Sequence, residues 1–97
     1  TSKSAYRLLT SYNTPGVFPG AKARAFKAAL RAENRYVCQQ AARLRMICVD
    51  VYAAFNGSDG SRDPQASGLT LPDGHPTAKG SARIATAVVR KGFAPLH

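Results

Sequence analysis

Asp73 and His75 stand two residues apart in the run Leu71-Pro72-Asp73-Gly74-His75-Pro76, and this pairing has a definite chemistry. A carboxylate beside an imidazole fixes the ring's tautomer, and it stabilises the imidazolium formed when the ring takes a proton from a nucleophilic hydroxyl. The same residue types also fill ordinary surface turns, which is the other reading of His75. Hydroxyls that share the stretch before His75 are Ser58, Ser61 and Ser67, and Ser11 lies far upstream. Of these, Ser58 in Gly57-Ser58-Asp59-Gly60 is the first candidate nucleophile, although Asn, Gly, Ser and Asp make turns there for reasons of their own. His97 ends the chain and is expected to be disordered. Cys38 and Cys48 fit no common metal spacing, and no C-x2-C or H-x3-H pattern occurs, so neither metal nor cofactor is expected. The two cysteines either approach bonding distance, if the chain doubles back between them, or pack as separate buried thiols.

These residues need elements to position them. Ala5 to Tyr12 reads as a strand, stopped by the turn formers Asn13-Thr14-Pro15-Gly16. From Ala21 to about Leu44 the apolar residues Phe26, Leu30, Val37, Ala41 and Leu44 recur at helical spacing, with Lys27, Arg31 and Arg35 four apart on another face. Met46 to Tyr52 is a nearly continuous apolar run, as a parallel strand covered on both faces would be. Strand, helix and strand in that order predict a βαβ unit with parallel strands, hence an α/β class. An irregular stretch from Asn56 to about Pro76 follows, and a loop of that length in a small protein is usually functional. Thr77 then caps a last helix to about Lys91, with Ile84, Ala85, Val88 and Val89 as its buried stripe and Gly92 as its stop. Parallel strands open their carboxyl ends on one edge, so the loops after Tyr12 and Tyr52 both reach the side where α/β proteins bind ligands.

The chain has 97 residues, room for one small α/β domain spanning 1–97. A domain of this size buries only about 60–65% of its unfolded surface. No apolar run approaches the ~18 residues of a transmembrane helix, and Thr1-Ser2-Lys3-Ser4 opens without a signal-peptide pattern. Formal net charge is +9, and half of the cations lie between Lys22 and Arg45, so the excess is regional. Clustered cations can mark a nucleic-acid or anionic-membrane surface, here Lys22, Arg24, Lys27, Arg31, Arg35, Arg43 and Arg45. A solvated helix face is the commoner meaning of such a cluster. No zinc-module, RNP-like or helix-turn-helix pattern accompanies the charge, and nucleic acid is not the expected partner.

Three segments occur in order: Val49-Asp50-Val51-Tyr52-Ala53-Ala54-Phe55-Asn56-Gly57, then Leu71-Pro72-Asp73-Gly74-His75-Pro76-Thr77-Ala78-Lys79-Gly80, then Ile84-Ala85. Together they resemble the carboxyl-terminal part of the SGNH (GDSL-type) serine ester hydrolases, and Glu33-Asn34 looks like that family's Asn-containing helix. The resemblance implies a partial flavodoxin-like, three-layer fold. It also implies esterase or lipase activity on a small-molecule or lipid ester, with His75 as general base, Asp73 as its orienting carboxylate, and Pro76 and Gly80 as scaffold. Secretion is implied as well. The family's carboxylate stands three residues before its His, whereas here only Gly74 intervenes, so either Asp73 turns toward the ring or a backbone carbonyl holds it. The family's G-D-S serine and its oxyanion donors have no counterpart among these residues. An ester hydrolase needs both, so the resemblance also allows a chain completed by a second chain or by oligomerisation.

Overall fold

In a computed structural model, which describes residues 4–17, 20–94 and 96, the chain is mixed α/β. His97 lies outside the described residues, as do 1–3, 18, 19 and 95. Strand β1 (Arg7–Leu9), helix α1 (Ala21–Arg43), strand β2 (Ile47–Val49), short helix α2 (Val51–Asn56) and helix α3 (Ala78–Arg90) follow in that order. The strands pair in parallel with Leu8 opposite Cys48, and the Thr10 N–H extends the ladder to the Val49 carbonyl at 3.0 Å. The expected strand–helix–strand order is therefore present, built on a sheet of two strands.

Both strands are shorter than their apolar runs. β2 stops at Val49 because the Asp50 side chain accepts the Ala53 N–H at 2.9 Å and so starts α2. Val51 and Tyr52, read as strand, are the first turn of that helix. Residues 11–13, also read as strand or turn, stay outside the sheet.

The core gathers Val49, Val51, Phe55 and Leu69, with Tyr12, Ala54, Ile84, Ala87 and Val88 packed around them. The stripe expected on α3 shifts accordingly. Ala85 and Val89 are exposed, and Ala87 takes the buried position three residues after Ile84. On α1 the buried residues are Leu30, Asn34 and Ala41, while Phe26, and Leu44 just past the helix end, are exposed. An asparagine thus lies on the buried face of an amphipathic helix.

Cys38 and Cys48 form a disulfide with their Cα atoms 5.2 Å apart, joining α1 to β2. Closing a loop of this size restricts the unfolded chain and contributes about 2–3 kcal/mol on the chain-entropy account. At the other end of the sheet, the Arg7 guanidinium donates to the carbonyls of Gly92 and Ala94, tying β1 to the chain just beyond α3.

Candidate active site

The segment after β1 is held by side chains that imitate a neighbouring strand. An asparagine amide carries one acceptor and an N–H donor in nearly the arrangement of a peptide group. Asn34 uses both on Ser11, accepting its N–H and donating to its carbonyl, each at 2.9 Å. Asn56 does the same to Asn13, at 2.8 Å in both directions, and donates to the Arg62 carbonyl at 3.1 Å as well. Thr10 is fixed through its hydroxyl, which accepts the Tyr52 N–H at 2.9 Å and donates to Asp50 at 3.2 Å. The backbones of Ser11 and Asn13 are therefore hydrogen-bonded without a third strand.

Tyr12 lies between the two asparagine clamps. Its ring stacks on Phe55 with centroids 4.4 Å apart, and its hydroxyl donates to the Gly74 carbonyl at 2.8 Å. Burial, and then the Asp73 charge, push the Tyr12 pKa up, so the donor persists through neutral pH. This one bond joins the edge of the sheet to the turn that carries His75.

That turn is closed by its own backbone. The Leu71 N–H donates to the His75 carbonyl at 2.8 Å and the Gly74 N–H to the Leu71 carbonyl at 2.9 Å. Gly74 has φ +92°, a conformation that side-chain-bearing residues rarely adopt. The Thr77 N–H donates to the Leu69 carbonyl at 3.0 Å, and the Thr77 hydroxyl caps α3 by accepting the Gly80 N–H at 3.1 Å. Gly80 must be glycine for packing: a β-carbon there would sit 2.0 Å from the Leu69 oxygen. The first turn of α3 and residues 69–77 thus form one rigid unit.

Within it, Asp73 turns back across Gly74 to meet His75. Its Oδ1 accepts the His75 backbone N–H at 3.1 Å, and its Oδ2 lies 3.0 Å from the ring Nδ1. The one-residue spacing is therefore long enough, and no carbonyl is needed in its place. The backbone N–H of His75 first, and then its side chain, hold the Asp73 pKa below the ordinary carboxylate value. Folding consequently favours the charged form: the associated stability is complete above the ordinary value and fades as pH falls through the lowered one. The side chains are 64% and 78% exposed, so the pair is open to solvent. His75, Asp73 and Gly74 border a shallow groove of about 320 Å3, completed by Tyr12, Thr14, Val17 and Phe26. The ring's Nε2 makes no hydrogen bond among the described residues.

No family model, curated protein or solved structure matches this chain. The candidate site must be judged on its own geometry, and the serines decide much of it. None lines the groove of His75. The Ser61 hydroxyl donates to the Asp59 carboxylate at 2.7 Å, and that of Ser67 to the Asp63 carbonyl at 3.0 Å. Ser58 lines a different crevice, and Ser11 is the residue clamped by Asn34. Among the described residues no three of His, Cys, Asp and Glu come together to hold a metal, and no helix is long and apolar enough to cross a membrane.

Sequence reasoning did not single out Tyr12 or Asn56 for the site. A signal for Asn34 existed, since it lies four residues from Leu30 on the apolar stripe of α1, where a buried amide must find partners.

Proposed function

We infer that this chain delivers the general base of a serine-type carboxyl-ester hydrolase. The reading rests on the Asp73–His75 pair: a carboxylate on Nδ1, an unbonded Nε2, and a rigid turn presenting the ring at the carboxyl edge of a parallel sheet. His75 takes the proton from an attacking hydroxyl and returns it to the leaving alcohol, while Asp73 orients the ring and stabilises its cation. The substrate is a small-molecule or lipid ester. The attacking hydroxyl and the oxyanion donors come from a segment or second chain that docks on the groove, because no serine lines it. On this reading the two strands belong to a flavodoxin-like, three-layer sheet of the SGNH type, and the protein is secreted.

A fluorophosphonate probe followed by mass spectrometry tests the assignment. Ser11, Ser58, Ser61 and Ser67 are expected to remain unlabelled in the isolated chain. Label on one of them that disappears in His75→Ala would move the nucleophile into this chain. Label that persists undiminished in His75→Ala would remove His75 from the mechanism.

A further inference from the structure

A second crevice opens where the two strands end, on the side covered by α1. Thr10 and Asp50, the residues immediately after β1 and β2, line it with Arg31 and Arg35 of α1, Tyr52 of α2 and Ser58. Its volume is about 260 Å3, a little below the ~300–1,000 Å3 of small-molecule pockets. The carboxyl ends of neighbouring parallel strands are where α/β proteins take up ligands. No residue lines both this crevice and the His75 groove, so the inference does not rest on the hydrolase reading.

Its lining has a clear sign of charge. Two guanidinium groups meet one carboxylate, and the Asp50 Oδ1 is already engaged by the Ala53 N–H and the Thr10 hydroxyl. Arg31 is held in place from two sides. It donates to the Asp59 carbonyl at 3.0 Å, and its guanidinium carbon lies 5.8 Å from the centre of the Tyr52 ring. Arg31 commits one of its five N–H donors to that carbonyl, so most of them remain uncommitted. Arg35 is exposed one turn further along and makes no hydrogen bond among the described residues. Tyr52 is only 7% exposed, with its hydroxyl buried toward Gly60 and the Lys27 stem, and it contributes the ring against which Arg31 rests.

We propose that this crevice binds a compact oxyanion, a phosphate or carboxylate group, through Arg31 and Arg35, with the Ser58 hydroxyl as a further donor. Planar guanidinium forks match such groups. A long polyanion would instead engage the exposed cations of α1 generally, including Lys22, Arg24 and Arg43. The crevice and the fixed position of Arg31 over the Tyr52 ring favour the compact ligand, because neither feature serves a surface-wide field.

An NMR titration of the full chain tests this, with sodium phosphate in one arm, sodium acetate in the other, and ionic strength held constant with chloride. Saturable shifts are expected at the Arg31 and Arg35 side-chain N–H groups and at the Ala53 and Ser58 amides in at least one arm. Arg35→Gln, at an exposed position that should not disturb folding, weakens that binding by about tenfold or more. Shifts that never saturate, that reach Arg43 and Arg45 equally, or that survive Arg35→Gln unchanged would overturn the proposal. Binding of a short oligonucleotide with no response to phosphate or acetate would do the same, and would assign the cations to a polyanion surface.

Discussion

Ester turnover is expected to fall by about 100- to 10,000-fold when His75 becomes alanine, the range that a positioned general base contributes. The measurement is hydrolysis of a short-chain chromogenic ester at neutral pH, made on the protein in the form that carries its attacking hydroxyl. The size of the effect follows from the division of labour in the site. A seryl hydroxyl is a weak nucleophile until a base takes its proton, and the groove holds no second imidazole, while its carboxylate, Asp73, is already engaged by His75. Asp73→Asn is expected to cost less. The pair is open to water, which screens the stabilisation of the imidazolium, and the backbone of residues 71–75 holds the turn independently of the carboxylate. Equal turnover in native and His75→Ala protein would leave the ring as an ordinary turn residue.

The second large effect concerns stability. Asn56 is fully buried, and its amide is the hydrogen-bond partner of both the N–H and the carbonyl of buried Asn13. Asn56→Ala strands both groups. At about 1–3 kcal/mol for each unsatisfied buried group, the loss is about 2–6 kcal/mol, a large part of the ~5–15 kcal/mol that holds a domain folded. Urea denaturation of the two proteins, compared at equal slope, gives the difference. Asn56→Asp should be at least as damaging, because a carboxylate cannot donate to the Asn13 carbonyl and carries charge into the core. A change below about 1 kcal/mol would mean that water replaces the amide. The consequence reaches the site, since Asn13 follows Tyr12, whose hydroxyl anchors the His75 turn.

The parts of this structure that were legible in the sequence are those governed by local pattern. α1 follows from its apolar spacing, and α3 from its cap at Thr77 and its end before Gly92. The parallel pairing of β1 with β2 follows from strand, helix and strand in succession. Local pattern also misled. Val51 and Tyr52 continue an apolar run, yet the Asp50 carboxylate starts a helix there, and hydropathy does not register a cap. The stripe of α3 was displaced to Ala87 because Phe55 and Leu69, distant in sequence, determine which face is covered. For Cys38 and Cys48, spacing allowed both a disulfide and two thiols, and the fold brings them together.

The candidate site divides in the same way. Asp73 and His75 were visible because their chemistry is carried by adjacent residues, and the φ of Gly74 explains how so short a spacing lets them meet. What holds them was not visible. Tyr12 reaches Gly74 across 62 positions of sequence, and Asn56 reaches Asn13 across 43. Contacts of that span depend on the completed fold, and a lone Tyr or Asn advertises no partner.

To serve as general base, His75 must be held with its proton on Nδ1 and its Nε2 lone pair toward the groove. Long-range proton–nitrogen NMR of the imidazole, recorded above the pH at which the ring is charged, reads that tautomer directly. The Nδ1–H form is expected to dominate in the native chain and to lose its dominance in Asp73→Asn. A ring found mainly as the Nε2–H tautomer, and indifferent to Asp73→Asn, would contradict the account.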